Sequence, residues 1–374
     1  MKRKILALIL MMTLIFSFTM TGCGNGDAPA PEPEEVATEP DPEPEPDGEE
    51  PEPAGEEPAP AADGVTRIGI SLDTLDDPYW VGLMTGIDEA IAELGDRVEV
   101  NVQIAQGDAS VQNRQIEDMI SAGVDALLVV YVDQEAIVQS IRLANENDVP
   151  FIFADRPVDS SPGAEVAWGR VTDCYALSVQ AWEWMVEYTR GLGMEEVRVL
   201  EVIGSLADAN VLRRTNGFET VMDANPGFIT RVQSIPSEWN LEMALAGVTN
   251  ALQANPDIDV IFMHSDFLLA PIIQALEAAG RWVPIGEEGH IIVMPYSGNS
   301  LSLRVLYDGY VPMVIGMNTF MNGYETLMAA FNIANGDTAG YDEPVEDPGF
   351  ILTLDNWDVY APIAYGWPGF VAGE

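Results

Sequence analysis

From residue 65 onward, short runs rich in β-branched residues alternate with longer amphipathic stretches, and no other feature restricts the fold as tightly. The runs predict strands at residues 67–72, 99–105, 126–130, 151–154, 165–169, 197–203, 229–235, 260–264, 291–296, 311–317 and 350–354. The stretches between them predict helices at 79–94, 110–122, 134–147, 174–191, 211–224, 241–254, 267–279 and 321–334. Strands separated by helices pair in parallel, with helices covering both faces of the sheet. So many strands exceed what one compact sheet holds in a head of this length. The fold class is therefore α/β, in two doubly wound parallel-sheet lobes. Ligands of such folds lie beyond the C-terminal ends of the strands, so the chemistry is sought there.

The residues before this pattern have a different character. Lys2, Arg3 and Lys4 precede an apolar run at 5–20 and then Thr21, Gly22 and Cys23. A basic cap, an apolar core and small residues before a cleavage point read as a secretory signal over residues 1–22. Cys23 after Thr21 and Gly22 resembles a bacterial lipobox, with Met20 where Leu is usual, and predicts a lipidated cysteine as the mature N-terminus. Residues 24–64 carry 15 acids and no base among many prolines, so 23–64 reads as the lipidated Cys23 and a disordered, extended tether. A lipid there anchors the protein to the outside of the cell membrane.

Charge and composition exclude several functions. The formal net charge is −45, and residues 65–374 hold 46 acids against 13 bases, all of them arginine. Such a chain cannot neutralise a run of phosphates, which argues against a nucleic-acid partner. Two cysteines exclude a disulfide scaffold or a Cys-rich metal site, and His264 and His290 are the only histidines. We expect no metal and no cofactor.

Several strand ends carry residues suited to a polar ligand. Asp76, Asp77, Pro78, Tyr79 and Trp80 follow the first strand; carboxylates accept hydroxyl protons, and an aromatic face stacks on the C–H face of a sugar ring. Asp77 before Pro78 equally suits a helix cap. Asp155 and Arg156 close the fourth strand, where an acceptor and a planar donor fork can serve neighbouring hydroxyls or simply pair on the surface. Arg213 and Arg214 fall in the first turn of a helix, where cations are mildly unfavourable. Trp239 follows the strand at 229–235, and His264, Ser265 and Asp266 end the one at 260–264.

In this order and spacing, these residues resemble the type I periplasmic sugar-binding proteins of ABC importers, the ribose/galactose-binding family, over essentially all of 66–355. The resemblance rests on the Asp76–Trp80 cluster, the run from Gln115 to Ala126, Asp155 with Arg156, Arg214 with Gly217 and Phe218, and Trp239. It implies the periplasmic-binding-protein type I fold, with the lobes joined by a three-strand hinge. Lobe one would span 65–172 plus 318–350, and lobe two 173–317 plus 351–374. The ligand would lie between them, touched by Asp76, Asp77, Tyr79, Trp80, Asp155 and Arg156 from lobe one. Arg214, Trp239, Ser265, Asp266 and Ser297, with Asn318 near the second hinge and His264 as a further candidate, would complete the site. Tyr79 or Trp80 would sandwich the ring with Trp239.

Departures from the family pattern bear on the ligand. Ser265 stands where ribose-type proteins have Asn, Tyr296-Ser297-Gly298 replaces Phe-Asp-Gly, and Met317 replaces a Gln. Losing a carboxylate at Ser297 removes a strong hydroxyl acceptor, so the ligand should differ from ribose. The resemblance implies capture of a monosaccharide or similar polyol and its delivery to an ABC permease by a monomer. The alternative is a receptor for chemotaxis, two-component or autoinducer-2-type signalling. An enzyme is disfavoured: Asp76 or Asp77 with Asp266 can be drawn as a glycosidase pair, but no nucleophile motif or phosphate loop accompanies them.

Overall fold

The computed structural model describes residues 64–158 and 160–373, so the expected signal segment, Cys23 and the acidic tract up to residue 63 lie outside the described residues. The first half runs β1 (Thr66–Leu72), α1 (Pro78–Leu94), β2 (Val98–Ile104), α2 (Ala109–Ser121), β3 (Ala126–Val129), α3 (Val138–Glu146), β4 (Phe151–Asp155) and β5 (Trp168–Thr172). The second continues α4 (Cys174–Gly191), β6 (Val197–Ile203), α5 (Ala209–Ala224), β7 (Ile229–Pro236), α6 (Leu241–Ala254), β8 (Val260–Met263), α7 (Leu269–Ala278) and β9 (Ile292–Met294). The chain then passes through β10 (Tyr296–Ser297), α8 (Ser300–Tyr307), β11 (Val314–Gly316), α9 (Thr319–Ala334), β12 (Val345–Asp347) and β13 (Phe350–Leu352).

Two parallel sheets result, with the same winding. One has the order β12-β5-β4-β3-β1-β2 and the other β7-β6-β8-β9. In each, the first strand lies between the second and the third, so the winding reverses between β1 and β3 and again between β6 and β8. Loops leaving the sheet at such a reversal diverge and open a crevice. The central strands β3, β4 and β8 are buried at every position and apolar throughout save Asp155 at the end of β4, as strands covered on both faces must be. A third, small sheet, β10-β11-β13, pairs β11 with β13 antiparallel.

The helix α9 returns from the second half and lies on α1, β3, β4 and β5. Two glycines permit that crossing. A Cβ on Gly86 would stand 2.0 Å from the Phe320 carbonyl oxygen, and one on Gly323 would stand 2.0 Å from that of Leu83. The two backbones therefore touch, and any side chain would push the helices apart. In the other lobe, Gly217 of α5 lies against the Tyr175 carbonyl in the same way, beside Trp182 stacked on Phe218 at 4.3 Å.

The element boundaries move where polar residues masked the pattern. The strand expected at 165–169 is Trp168–Thr172, because Ser161 and Ala164 close a turn before it. Arg170 breaks the apolar run there but is buried against Glu325 and Asp347, each at 2.8 Å. The helix expected from residue 134 begins at Val138, the strand expected at 291–296 divides into β9 and β10, and the one expected at 311–317 shortens to β11. Both β12, which is too short and charged to show a period, and α8, capped by Asn299, were absent from the sequence expectation.

Candidate functional site

The loops beyond β1, β2, β3, β4, β6, β7 and β8, with Ser297 at the end of β10, converge on a cavity of about 530 Å³. Its walls come from both lobes, at both points where the winding reverses. A volume of this size suits a small ligand rather than a polymer.

On the side of lobe one, the polar groups hold one another. Asp155 ends β4 at φ 66°, and its carboxylate accepts from the Tyr79 hydroxyl and, at 3.3 Å, from Asn210 Nδ2. Arg156 is buried between two carboxylates, Asp73 at 2.8 Å and Asp208 at 3.1 Å, and donates to the Tyr131 carbonyl. Its guanidinium stands over the Trp80 ring, 5.1 Å from the centroid. A guanidinium so surrounded is fixed in place, because its Nη1 serves both Asp73 and the Tyr131 carbonyl, its Nε faces Asp208 and its plane lies against Trp80. Asp77 caps α1 by accepting from the Tyr79 amide, with Pro78 at the first helical position, where no amide donor is needed. Burial pushes the Asp77 carboxyl up to about 7, and Asp266 nearby adds to the effect. Asp76 also lines the cavity but is exposed.

The lobe-two side is less self-contained. Arg214 of α5 is 5% exposed and stands over the Tyr296 ring at 4.5 Å. Its Nη2 reaches only Met317 Sδ at 4.0 Å, and its Nε has no acceptor. Trp239 adopts φ 55° and lies flat on Gly204, where a Cβ would come within 2.0 Å of the indole. The indole Nε1 is buried without an acceptor. Ser265 and Ser297 also line the cavity, Ser265 Oγ already accepting from the Phe267 amide at 3.2 Å.

Six non-glycine residues among those described have left-handed φ, and five of them line this cavity: Gln106, Asp155, Glu238, Trp239 and Ser297. Each such conformation costs on the order of 1–3 kcal/mol and persists only where the surroundings enforce it. Their concentration here shows that the backbone is bent to present these side chains.

Of the residues expected from sequence, Asp76, Asp77, Tyr79, Trp80, Asp155, Arg156, Arg214, Trp239, Ser265 and Ser297 come together around the cavity. Asp266 does not join its lining. It is buried, and its carboxylate accepts from the Gly298 and Asn299 amides, Ser302 Oγ and the Tyr365 hydroxyl. Burial raises it to about 6 against the pull of those four bonds. Asn318 caps α9 through Met321 N at 3.3 Å, and His264 is buried 3.2 Å from Glu201; neither lines the cavity. The sequence reasoning missed Asp73, Asp133, Asp208, Glu238 and Phe267, which do. Asp73 and Asp208 each follow a strand end, the signal that marks the other cavity residues. Their roles emerge only through Arg156, and its partners are 83 and 52 residues away in the chain.

Aromatic rings and an array of donors and acceptors thus surround a small volume, a combination that grips a ring bearing several hydroxyls. No group of three or more His, Cys, Asp or Glu among the described residues is arranged to hold a metal ion. No helix among them is long and apolar enough to cross a membrane.

A family model described as the periplasmic binding protein domain matches residues 68–338. The chain is 26% identical over 270 residues to the ribose import binding protein of Bacillus subtilis, covering 72% of this chain and 82% of that one. Its fold is similar to that of an ABC transporter solute binding protein from Bacillus halodurans with bound myo-inositol, with TM-score 0.70 and 22% identity over 81% of this chain and 99% of that one. It is similar also to the Caulobacter myo-inositol binding protein, with TM-score 0.72 and 19% identity over 82% of this chain and 99% of that one.

Proposed function

This chain belongs to the periplasmic binding protein domain family, and from that premise we propose that it is an extracytoplasmic receptor for a monosaccharide or similar polyol, which it delivers to an ABC permease. The observation that carries the reading is the cavity between the lobes, where Trp80 and Trp239 lie among charged donors and acceptors drawn from both sheets. A ligand that touches both walls favours the state in which they are closed, and that state is what a permease would recognise. Lobe one would be 65–172 plus 318–350, and lobe two 173–317 plus 351–374. The hinges would lie near residues 171–172, 317–318 and 350–352. The binding set would be Asp76, Asp77, Tyr79, Trp80, Asp155, Arg156, Arg214, Trp239, Ser265 and Ser297.

We further propose that the protein acts as a monomer held to the membrane by lipid on Cys23, with the acidic tract as tether. The lipid reading is tested by mass measurement of membrane-extracted protein from cells carrying Cys23 or Cys23→Ser; equal release of both from membranes would sink it. The ligand reading is tested by thermal-shift screening against pentoses, hexoses, deoxysugars, inositols and autoinducer-2, followed by calorimetry. A true ligand raises the melting temperature by linkage. If no polyol shifts it while a nucleoside or amino acid does, the reading is wrong.

A further inference from the structure

The cavity's charges do not balance. Seven carboxylates line it against the two guanidiniums of Arg156 and Arg214. Arg156 is already shared by Asp73 and Asp208, while Asp76, Asp77, Asp133, Asp155 and Glu238 form no ion pair among the described residues. The general acidity of the surface accounts for exposed Asp76 and Glu238 but not for the rest, because surface acids remain in water, whereas Asp155 is buried and Asp77 half-buried with no ion pair to either, and Asp73 and Asp208 are buried against Arg156 alone. Glu238 and Trp239 follow one another in left-handed conformations, and both line the cavity, so an acid and an indole come from adjacent positions of one wall. An aromatic face next to a carboxylate is a favourable setting for an ammonium group. A second, independent feature asks for oxygen. Arg214 is more than nine-tenths buried, lines the cavity and has no acceptor for its Nε.

Resting on the polyol reading above, we infer that the preferred ligand is an amine-bearing polyol, an amino sugar or aminocyclitol. Its ammonium is held by the unpaired carboxylates around Asp77 and Glu238, and its oxygens are held by Arg214. The raised position of Asp77 accords with this, since an adjacent ammonium favours the ionised carboxylate that burial disfavours. A neutral polyol would leave the excess charge uncompensated on closure.

The test is calorimetry on the full chain with matched probes: glucosamine against glucose, galactosamine against galactose, an aminocyclitol against myo-inositol, N-acetylglucosamine as the uncharged amide control, and calcium ion alone. At least one amine should bind about ten-fold or more tightly than its hydroxyl parent and its amide, and that preference should shrink as ionic strength rises from about 20 to about 300 mM. Asp77→Asn keeps the helix cap and should lower the amine-to-hydroxyl affinity ratio several-fold. Parents or amides that bind as tightly as the amines, calcium binding in their place, or a ratio unmoved by Asp77→Asn would overturn the inference while leaving the polyol reading standing. Failure of every polyol, charged or neutral, would overturn both.

Discussion

The two walls of the cavity contrast in how far their polar groups are already satisfied. On one side, Arg156 is fixed by Asp73, Asp208, the Tyr131 carbonyl and the Trp80 face, and Tyr79 is spent on Asp155. On the other, Arg214 rests on Tyr296 without a carboxylate, and the Trp239 indole nitrogen is buried with no acceptor. The first wall is a preorganised template whose groups stabilise each other; the second holds donors whose desolvation is repaid only by a ligand. Asp208 belongs to the second half of the chain, so its pair with Arg156 also fastens the two walls together. Substitution on the template should therefore damage the fold, and substitution on the opposite wall should damage binding.

The largest effect should come from Arg156→Ala. It strands Asp73 and Asp208, both buried, beside one another without a cation. Removing one partner of a buried ion pair typically costs about 3–5 kcal/mol. Chemical denaturation should show that loss in the absence of any ligand. A change under about 1 kcal/mol would mean that the template is not self-stabilised. Arg214→Ala should behave in the opposite sense. We expect affinity for the true ligand to fall about 100-fold, some 2.7 kcal/mol, with a smaller loss of stability than Arg156→Ala. If Arg214→Ala proves the more destabilising of the two, the contrast between the walls is wrong.

Buried carboxylates in the two regions should separate by pH. Burial raises Asp77 to about 7 and Asp266 to about 6, so over this range the folded state holds protons that the unfolded chain has released. That contribution to stability is fully present below about pH 4 and is lost as pH rises through about 6–7. Glu201, inside lobe two, has the reverse sign. Burial would raise it, but hydrogen bonds from His264, Ser234 and Thr215 outweigh burial and hold it at about 2. Its contribution is present above about pH 4.5 and is lost as pH falls toward 2. Stability, and the melting temperature with it, should thus climb on acidification from about pH 7.5 to 4.5 and drop at lower pH, with buried His264 opposing part of the climb because burial lowers its pKa. Asp77→Asn should flatten the first limb and leave the second; an unchanged first limb would remove Asp77 as its source.

A smaller effect is expected at Gly204, where any Cβ must displace the Trp239 ring. Gly204→Ala should weaken ligand binding about ten-fold, or about 1.4 kcal/mol, by tilting the indole away from the cavity. Tryptophan fluorescence should report the displacement, and an unaltered spectrum with unaltered affinity would show that the ring position does not matter.

Much of this architecture was legible in the sequence because the parallel strands are covered on both faces and so spell out unbroken apolar runs, as Ala126 to Val129 and Val260 to Met263 do. The cavity residues were legible where they stand beside a strand end, as Asp155 and Arg156 do. What sequence could not supply was orientation. Adjacent residues at a strand end point in different directions, so Ser265 lines the cavity while Asp266 turns inward to hold the Gly298 and Asn299 amides. Glu238 reaches the wall only because φ turns positive there, a backbone state that no residue preference for Glu announces.

Asn318 makes the finest distinction between scaffold and contact. The family resemblance brought it forward as a candidate beside Met317, yet its side chain caps α9 through the Met321 amide and it does not line the cavity. Serine satisfies the same amide about as well as asparagine does, whereas alanine leaves it open at a cost of about 1 kcal/mol. Asn318→Ser should therefore leave both stability and affinity within about 0.5 kcal/mol of the parent, and Asn318→Ala should lower stability by about 1 kcal/mol with little change in affinity. If Asn318→Ser weakens the ligand about ten-fold while melting normally, Asn318 touches the ligand in the closed state and the boundary between the hinge and the lobe-two wall must be redrawn to include it.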